Sequence, residues 1–182
     1  MKIILGFSTS ATLFSKIIRF CTRSEVSHTY IRIYDDFFET SFVLEVERTM
    51  RILRSEEFDR DNVIVEEYEI DDERLDKSVK HNLKHLGKTF NWLDWFGWFP
   101  LIKKWAKTKI KSPTHSFKKM ICVDFVLRVL NDADITHLPM GVLSPEILRQ
   151  WTNEYFTKFG WKKTKGTIYN ITSNKGNPHE QK

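Results

Sequence analysis

Only two cysteines, Cys21 and Cys122, occur in the 182 residues, so a disulfide framework is excluded and a reduced compartment is expected. Long apolar runs are missing too. No stretch approaches the ~20 residues that a membrane-spanning helix requires. The opening "MKIILGFSTSATLFSKIIRF" offers about five apolar residues before Ser and Thr interrupt, against roughly 7–15 in a secretory leader. It reads as a strand followed by a helix, and a cytoplasmic location is expected, with room for peripheral contact at a membrane. No nucleic-acid motif accompanies the net charge of +5, so the mild basic bias predicts anionic partners rather than nucleic acid. Internal repeats and a linker that would divide the chain are absent as well.

What is present suits one globular domain with a core of its own: 41% of residues are hydrophobic and 29% charged. The domain is expected over residues 1–164, with 165–182 a polar tail. "KIILGF" (2–7) predicts a buried strand, and Leu13, Phe14, Ile17, Ile18 and Cys21 then follow helical spacing, with Cys21 expected as core filler. "HTYIRIY" (28–34) alternates, Ile31 and Ile33 against His28, Tyr30 and Arg32. "SFVLEVE" (41–47) alternates again, and the short connection predicts an antiparallel pair. "NVIVEEYEI" (62–70) reads as a third strand. Helices are predicted over 71–87, where Gly87 stops the stripe, over 122–130, and over 143–156 behind Ser144 and Pro145. Strands and helices in this order define an α+β fold with an antiparallel sheet and packed helices.

A cysteine attacks a carbonyl as its thiolate, which a helix N-terminus or a neighbouring imidazolium favours. Cys122 begins the helix whose apolar positions are Val123, Val126, Leu127 and Leu130, where unpaired backbone N–H groups also suit an oxyanion. Cys21 falls late in its helix, where the dipole opposes a thiolate. His28, at the mouth of a strand and on its polar face, is the candidate base. Glu45 on the neighbouring strand is the candidate orienter of the ring, with Glu39 in the turn competing. The plain alternative is a structural cysteine, a surface histidine and a solvated glutamate.

These segments resemble the circularly permuted, YiiX/YebB-like branch of the NlpC-type papain-like cysteine hydrolases, in which histidine precedes cysteine. "SEVSHTYIRI" is similar to the strand with the catalytic histidine, and "FVLEVE" to the strand with an acidic third member. "LGKTFNWLDWFG" resembles a Gly-Lys-x-aromatic-Asp-aromatic stretch, "MICVDFVLRVL" the cysteine-led helix, and "GVLSPEIL" a Ser/Thr-Pro-acid-x-Leu segment. The resemblance spans residues 1 to about 155. Val123 and Asp124 stand where Ser-Glu is usual, and Asn91 where Asp is common. The family implies a papain-like fold and thiol attack on an amide or ester through an acyl-enzyme. Cys122 would be the nucleophile, His28 the base and Glu45 its orienter, without metal or cofactor. Ser8 or Thr9 would complete an oxyanion hole begun by the Cys122 N–H. The implied substrate is a peptide or peptidoglycan-type crosslink, or an acyl lipid on the same triad. A non-catalytic module that binds a membrane surface or a partner is the alternative from another class.

Two other signals stand apart. His81 and His85 have a spacing that can chelate zinc, but no third ligand is evident, and two exposed helix histidines are expected. Residues 95–122 hold Trp95, Trp98, Phe99 and Trp105 among lysines that include Lys103, Lys104 and Lys107, with no acid between. Trp95, Trp98, Lys103 and Lys104 are candidates for substrate or membrane contact, because rings and lysines suit a lipid headgroup layer or an anionic glycopeptide. Packing of the tryptophans on the core is the competing reading. His115 is read as a loop residue.

Overall fold

The computed structural model describes residues 2–35, 39–90, 119–140, 144–156 and 158–164. The expected contacts at Trp95, Trp98, Lys103 and Lys104, together with Asn91, His115 and the tail 165–182, lie outside the described residues. In chain order the elements are β1 (Lys2–Ser10), α1 (Leu13–Thr22), β2 (His28–Asp35), β3 (Thr40–Val46), β4 (Met50–Arg54), α2 (Ser55–Asp61) and β5 (Asn62–Ile70). There follow α3 (Glu73–Asn82), β6 (Thr89–Phe90), β7 (Lys119–Met120), α4 (Cys122–Asp132), α5 (Pro145–Tyr155) and β8 (Lys162–Lys163). The result is a mixed α+β fold around a six-stranded antiparallel sheet of order β4-β3-β2-β1-β5-β8. Among the described residues, no helix is long and apolar enough to cross a membrane.

Alternation in the strands assigns the two faces of the sheet. Ile3, Leu5 and Phe7 of β1, Ile31 of β2, Leu44 of β3 and Tyr68 and Ile70 of β5 form the main core with α3 and α4. Helix α4 packs against β2, α3 and α5, so it is buried on nearly every side, from Cys122 to Leu127 and again at Val129 and Leu130. Burying each such aliphatic side chain stabilises the fold by roughly 1.5–3 kcal/mol. Helix α3 begins under Asp72, whose side chain accepts the Arg74 N–H, and a 3-10 turn over Leu83–His85 follows it. Gly87, at φ +80°, takes the left-handed conformation that ends this run. Its N–H donates to the Met50 carbonyl (2.9 Å), which ties the turn to β4.

The opposite face is built around charge. Tyr30 Oη donates to Glu67 Oε1 at 2.7 Å, and Arg32 Nε donates to the same oxygen at 2.9 Å. The remaining Arg32 nitrogens grip Asp59 of α2 at 3.0 and 2.7 Å. This bidentate pair fastens α2 over the sheet and brings Phe58 onto Tyr30, ring centroids 4.5 Å apart. Glu67 is wholly buried, and burial raises its carboxyl pKa even though Arg32 and Tyr30 oppose the shift.

Three sequence expectations change. β1 runs on through the hydroxyl residues to Ser10, because these pair with β5 across a bulge after Phe7. β4 and α2 were not expected, since "MRILRSEEFDRD" has neither clean period and α2 buries a single large side chain, Phe58. Helix α1 forms as predicted, but little of its apolar stripe is core: Ser15 is its buried residue, and Phe14 packs half-buried against the main core. Ser15 Oγ meets Ser27 Oγ at 2.6 Å and Thr9 Oγ1 at 3.1 Å and accepts the Ser10 N–H at 3.1 Å, so the polar side of α1 faces the domain. Cys21 is half-buried rather than a core filler.

Gly6 lies beneath Tyr30, and a Cβ added there would overlap the phenol ring, which Glu67 and Phe58 hold in place. Gly6→Ala is expected to cost about 1–3 kcal/mol of stability through overpacking. The urea midpoint measures it; a midpoint equal to that of the unchanged protein would contradict the packing described.

Candidate active site

Three elements deliver the three expected residues. Cys122 is the first residue of α4, behind Ile121 in extended conformation, and no side chain caps this helix end. The first-turn N–H groups therefore remain directed at whatever lies before the helix. His28 opens β2, and Glu45 lies near the end of β3, on the strand face that also carries Val43. The pairing Ile31↔Leu44 sets β2 against β3 and brings the mouth of β2 beside Glu45.

His28 Nε2 stands 2.8 Å from Glu45 Oε2. The Nε2–Oε2 contact is an ion pair without the alignment of a hydrogen bond. Cys122 lies close enough to the same imidazole to act on it through charge and hydrogen bonding. The carboxylate is itself held: Arg51 of β4, opposite Glu45 in the ladder, donates Nε and Nη2 to Oε1 at 2.9 and 2.7 Å. Arg51 Nη2 reaches Glu47 Oε2 as well, at 2.9 Å. Phe58 closes the other side of the imidazole, with centroids 6.3 Å apart. Cys122, His28, Glu45 and Arg51 thus form one connected chain of contacts.

Burial alone would hold His28 neutral. The charge and hydrogen bond of Cys122, and after them those of Glu45, outweigh burial and raise its pKa to about 10. For Glu45, burial pushes the carboxyl upward, but His28 and then Arg51 overcome it and hold the pKa below the usual value. The site therefore favours an imidazolium clamped between an acid and a sulfur.

A cleft of about 450 Å³ opens at these residues. Cys122, His28 and Glu45 line it, with Ser10, Thr12, Ser15 and Ser27 as hydroxyl wall and Phe14, Ile18, Leu53, Phe58 and Ile121 as apolar wall. Cys122 is 8% exposed, so the sulfur sits at the cleft floor rather than on the surface. Ser8 and Thr9, expected near an oxyanion, do not line the cleft. Ser8 is fully buried and Thr9 is engaged with Ser15 and Ser27. Ser10 is the residue of β1 that reaches the wall. Glu39 sits exposed in the turn before β3 at φ +49° and takes no part.

The zinc pair resolves differently from two exposed histidines. His81 is exposed and contacts Lys84 Nζ, whereas His85 is buried. Burial, then the charges of Lys88, Arg128, Lys84 and His81, lower the His85 pKa to about 4. Among the described residues no group of three His, Cys, Asp or Glu is placed to hold a metal ion.

Arg51 and Phe58 were not foreseen from the sequence. The one cue to Arg51 is charge: "EVERTMR" sets an arginine a short turn away from Glu45, a pair that a hairpin would bring opposite one another. No family model and no curated protein matches the chain.

A histidine whose folded pKa stands at about 10, above an ordinary 6.5, contributes stability that is complete below pH 6.5 and is lost as pH rises toward 10. Ring-proton NMR is expected to show no His28 titration between about pH 5 and 8, where an unperturbed histidine titrates. Cys122→Ala should move the midpoint down, because the thiol is the strongest influence raising it. A midpoint near 6.5 in the unchanged protein would contradict the arrangement.

Proposed function

We propose that the protein is a cysteine hydrolase that cleaves an amide bond, of peptide or peptidoglycan type, through a thiol acyl-enzyme on a permuted papain-like scaffold. The observation that carries this reading is one imidazole set between Cys122 and Glu45 on the lining of a cleft. The histidine-before-cysteine order and the cysteine-led helix packed on an antiparallel sheet support the scaffold.

In this mechanism the Cys122 thiolate adds to the carbonyl carbon, and the carbonyl π electrons move to oxygen. The Cys122 backbone N–H and a hydroxyl of the cleft wall, with Ser10 nearest in sequence to the expected position, receive that oxyanion. His28, as imidazolium, gives its proton to the leaving nitrogen as the C–N bond breaks and leaves a thioester. Water then enters, His28 accepts its proton, the hydroxide adds to the thioester carbon, and the C–S bond breaks to release the acid and restore the thiolate–imidazolium pair. Glu45, braced by Arg51, fixes the ring and stabilises its charge throughout. A second reading, hydrolysis or transfer of a lipid acyl group on the same triad, is favoured by the apolar wall of Phe14, Ile18, Leu53 and Ile121.

Iodoacetamide is expected to label Cys122 at least about tenfold faster than Cys21 at neutral pH, and His28→Ala to remove that advantage. Glu45→Gln should lower the rate of acyl transfer from an activated ester to Cys122 by roughly 10²-fold or more, read by intact-protein mass. Equal labelling of the two cysteines would overturn the catalytic reading and leave a binding module.

A further inference from the structure

Helix α1 turns part of its apolar surface to solvent, and that outward part has no use in the chemistry above. At about 100° per residue, Leu13, Ile17 and Phe20 share an arc of roughly 60°. They form a solvent-facing ridge, 74%, 36% and 86% exposed respectively. Phe14, Ile18 and Cys21 occupy the next arc and line the cleft. Ser15 and Thr22 follow, with Ser15 buried against Ser27 and Thr9. Arg19 and Lys16 complete the circle, so the exposed Lys16 flanks the ridge on the side away from the cleft, and the exposed Arg23 follows at the left-handed end of the helix. From Ala11 to Ser24 there is no acidic residue. An ordinary amphipathic helix buries its apolar stripe; this one packs by its hydroxyls and Phe14 and turns Leu13, Ile17 and Phe20 outward.

Single exposed apolar side chains require no explanation. A ridge of three, one wall of which continues into the cleft and the other into cations, has the composition of a helix lying in a lipid interface. Three side chains fall well short of the ~800 Å² per partner that a stable copy-to-copy interface buries. Cations beside the ridge add nothing to an apolar self-contact, whereas they complement anionic headgroups.

We propose that α1 docks on an anionic phospholipid surface. Leu13, Ile17 and Phe20 enter the boundary between headgroups and acyl chains, and Lys16 and Arg23 pair with headgroup charge. Docked in this way, the cleft opens beside the bilayer, with Phe14 and Ile18 on its lining. The docking does not depend on Cys122 acting as a nucleophile.

The test is flotation of the full chain with vesicles of phosphatidylcholine alone and of phosphatidylcholine with phosphatidylglycerol. The unchanged protein and Cys122→Ala should float with the anionic vesicles to the same extent, and binding should weaken with salt. Leu13→Ser, Ile17→Ser and Phe20→Ser together should lower partitioning by at least about tenfold, while circular dichroism and Cys122 labelling stay as in the unchanged protein. Should the triple variant not fold, Phe20→Ser alone and the pair Lys16→Glu, Arg23→Glu carry the same comparison. Three results overturn the proposal: no flotation with either vesicle, flotation that the ridge substitutions leave unchanged, or self-association in gel filtration that those substitutions abolish. The last would make the ridge a contact between copies. Loss of Cys122 labelling selectivity with flotation intact would remove the hydrolase reading and leave the docking standing.

Discussion

The imidazole of His28 is the point at which the molecule's separate parts meet. It belongs to the sheet through β2, reaches the carboxylate of β3 at 2.8 Å, and is acted on by the first residue of a helix that follows it by nearly a hundred positions. An imidazole with only one of these neighbours would be ordinary. With both, the charge it carries is stabilised from two sides, against burial that would otherwise strip the proton away. The position of the ring thus demands that β2, β3 and α4 be fixed relative to one another with little slack, since a small misplacement of reacting groups is costly.

That fixing is supplied largely by polar interior. Arg51 spends two donors on the Glu45 oxygen that His28 does not use, so the carboxylate cannot turn away from the ring. Arg32 joins Glu67 of β5 to Asp59 of α2, and α2 delivers Phe58 to the flank of the imidazole. Buried ion pairs return little net stability after desolvation, yet removing one partner costs about 3–5 kcal/mol, because a charge is then left uncompensated. Such a network therefore fixes geometry more than it adds stability. The apolar face, with α4 enclosed by sheet, α3 and α5, carries the bulk of the stabilisation.

The strands were legible because aliphatic residues alternate with polar and aromatic ones along β2 and β3, although both faces are covered. Ile31 and Ile33 against Tyr30 and Arg32, and Leu44 against Glu45, assigned the faces correctly, and with them the shared side of His28 and Glu45. The helix at Cys122 was legible from Val123, Val126, Leu127 and Leu130, and extends two residues further than expected. Helix α1 shows where periodicity stops informing. A stripe of Leu13, Phe14, Ile17, Ile18 and Cys21 states that one side of the helix is apolar, not that this side faces the protein. The deciding feature was the hydroxyl set of Thr9, Ser15 and Ser27, which pairs only once β1 and the segment before β2 are side by side. β4 and α2 escaped for a related reason. An edge strand and a short helix that buries one ring leave no period to read, and their contribution lies in Arg51 and Phe58, single side chains that matter through long-range contacts.

Proximity of one sulfur to one imidazole is the claim from which the rest follows, and a short bifunctional alkylating reagent measures it without reference to any substrate. 1,3-Dibromoacetone, whose three carbons span only neighbouring groups, should bridge Cys122 to His28, so that peptide mapping recovers the segments around residues 28 and 122 as one linked species. Alkylation that stops at Cys122, or that falls on Cys21 instead, would show that the ring does not stand beside the thiol in solution.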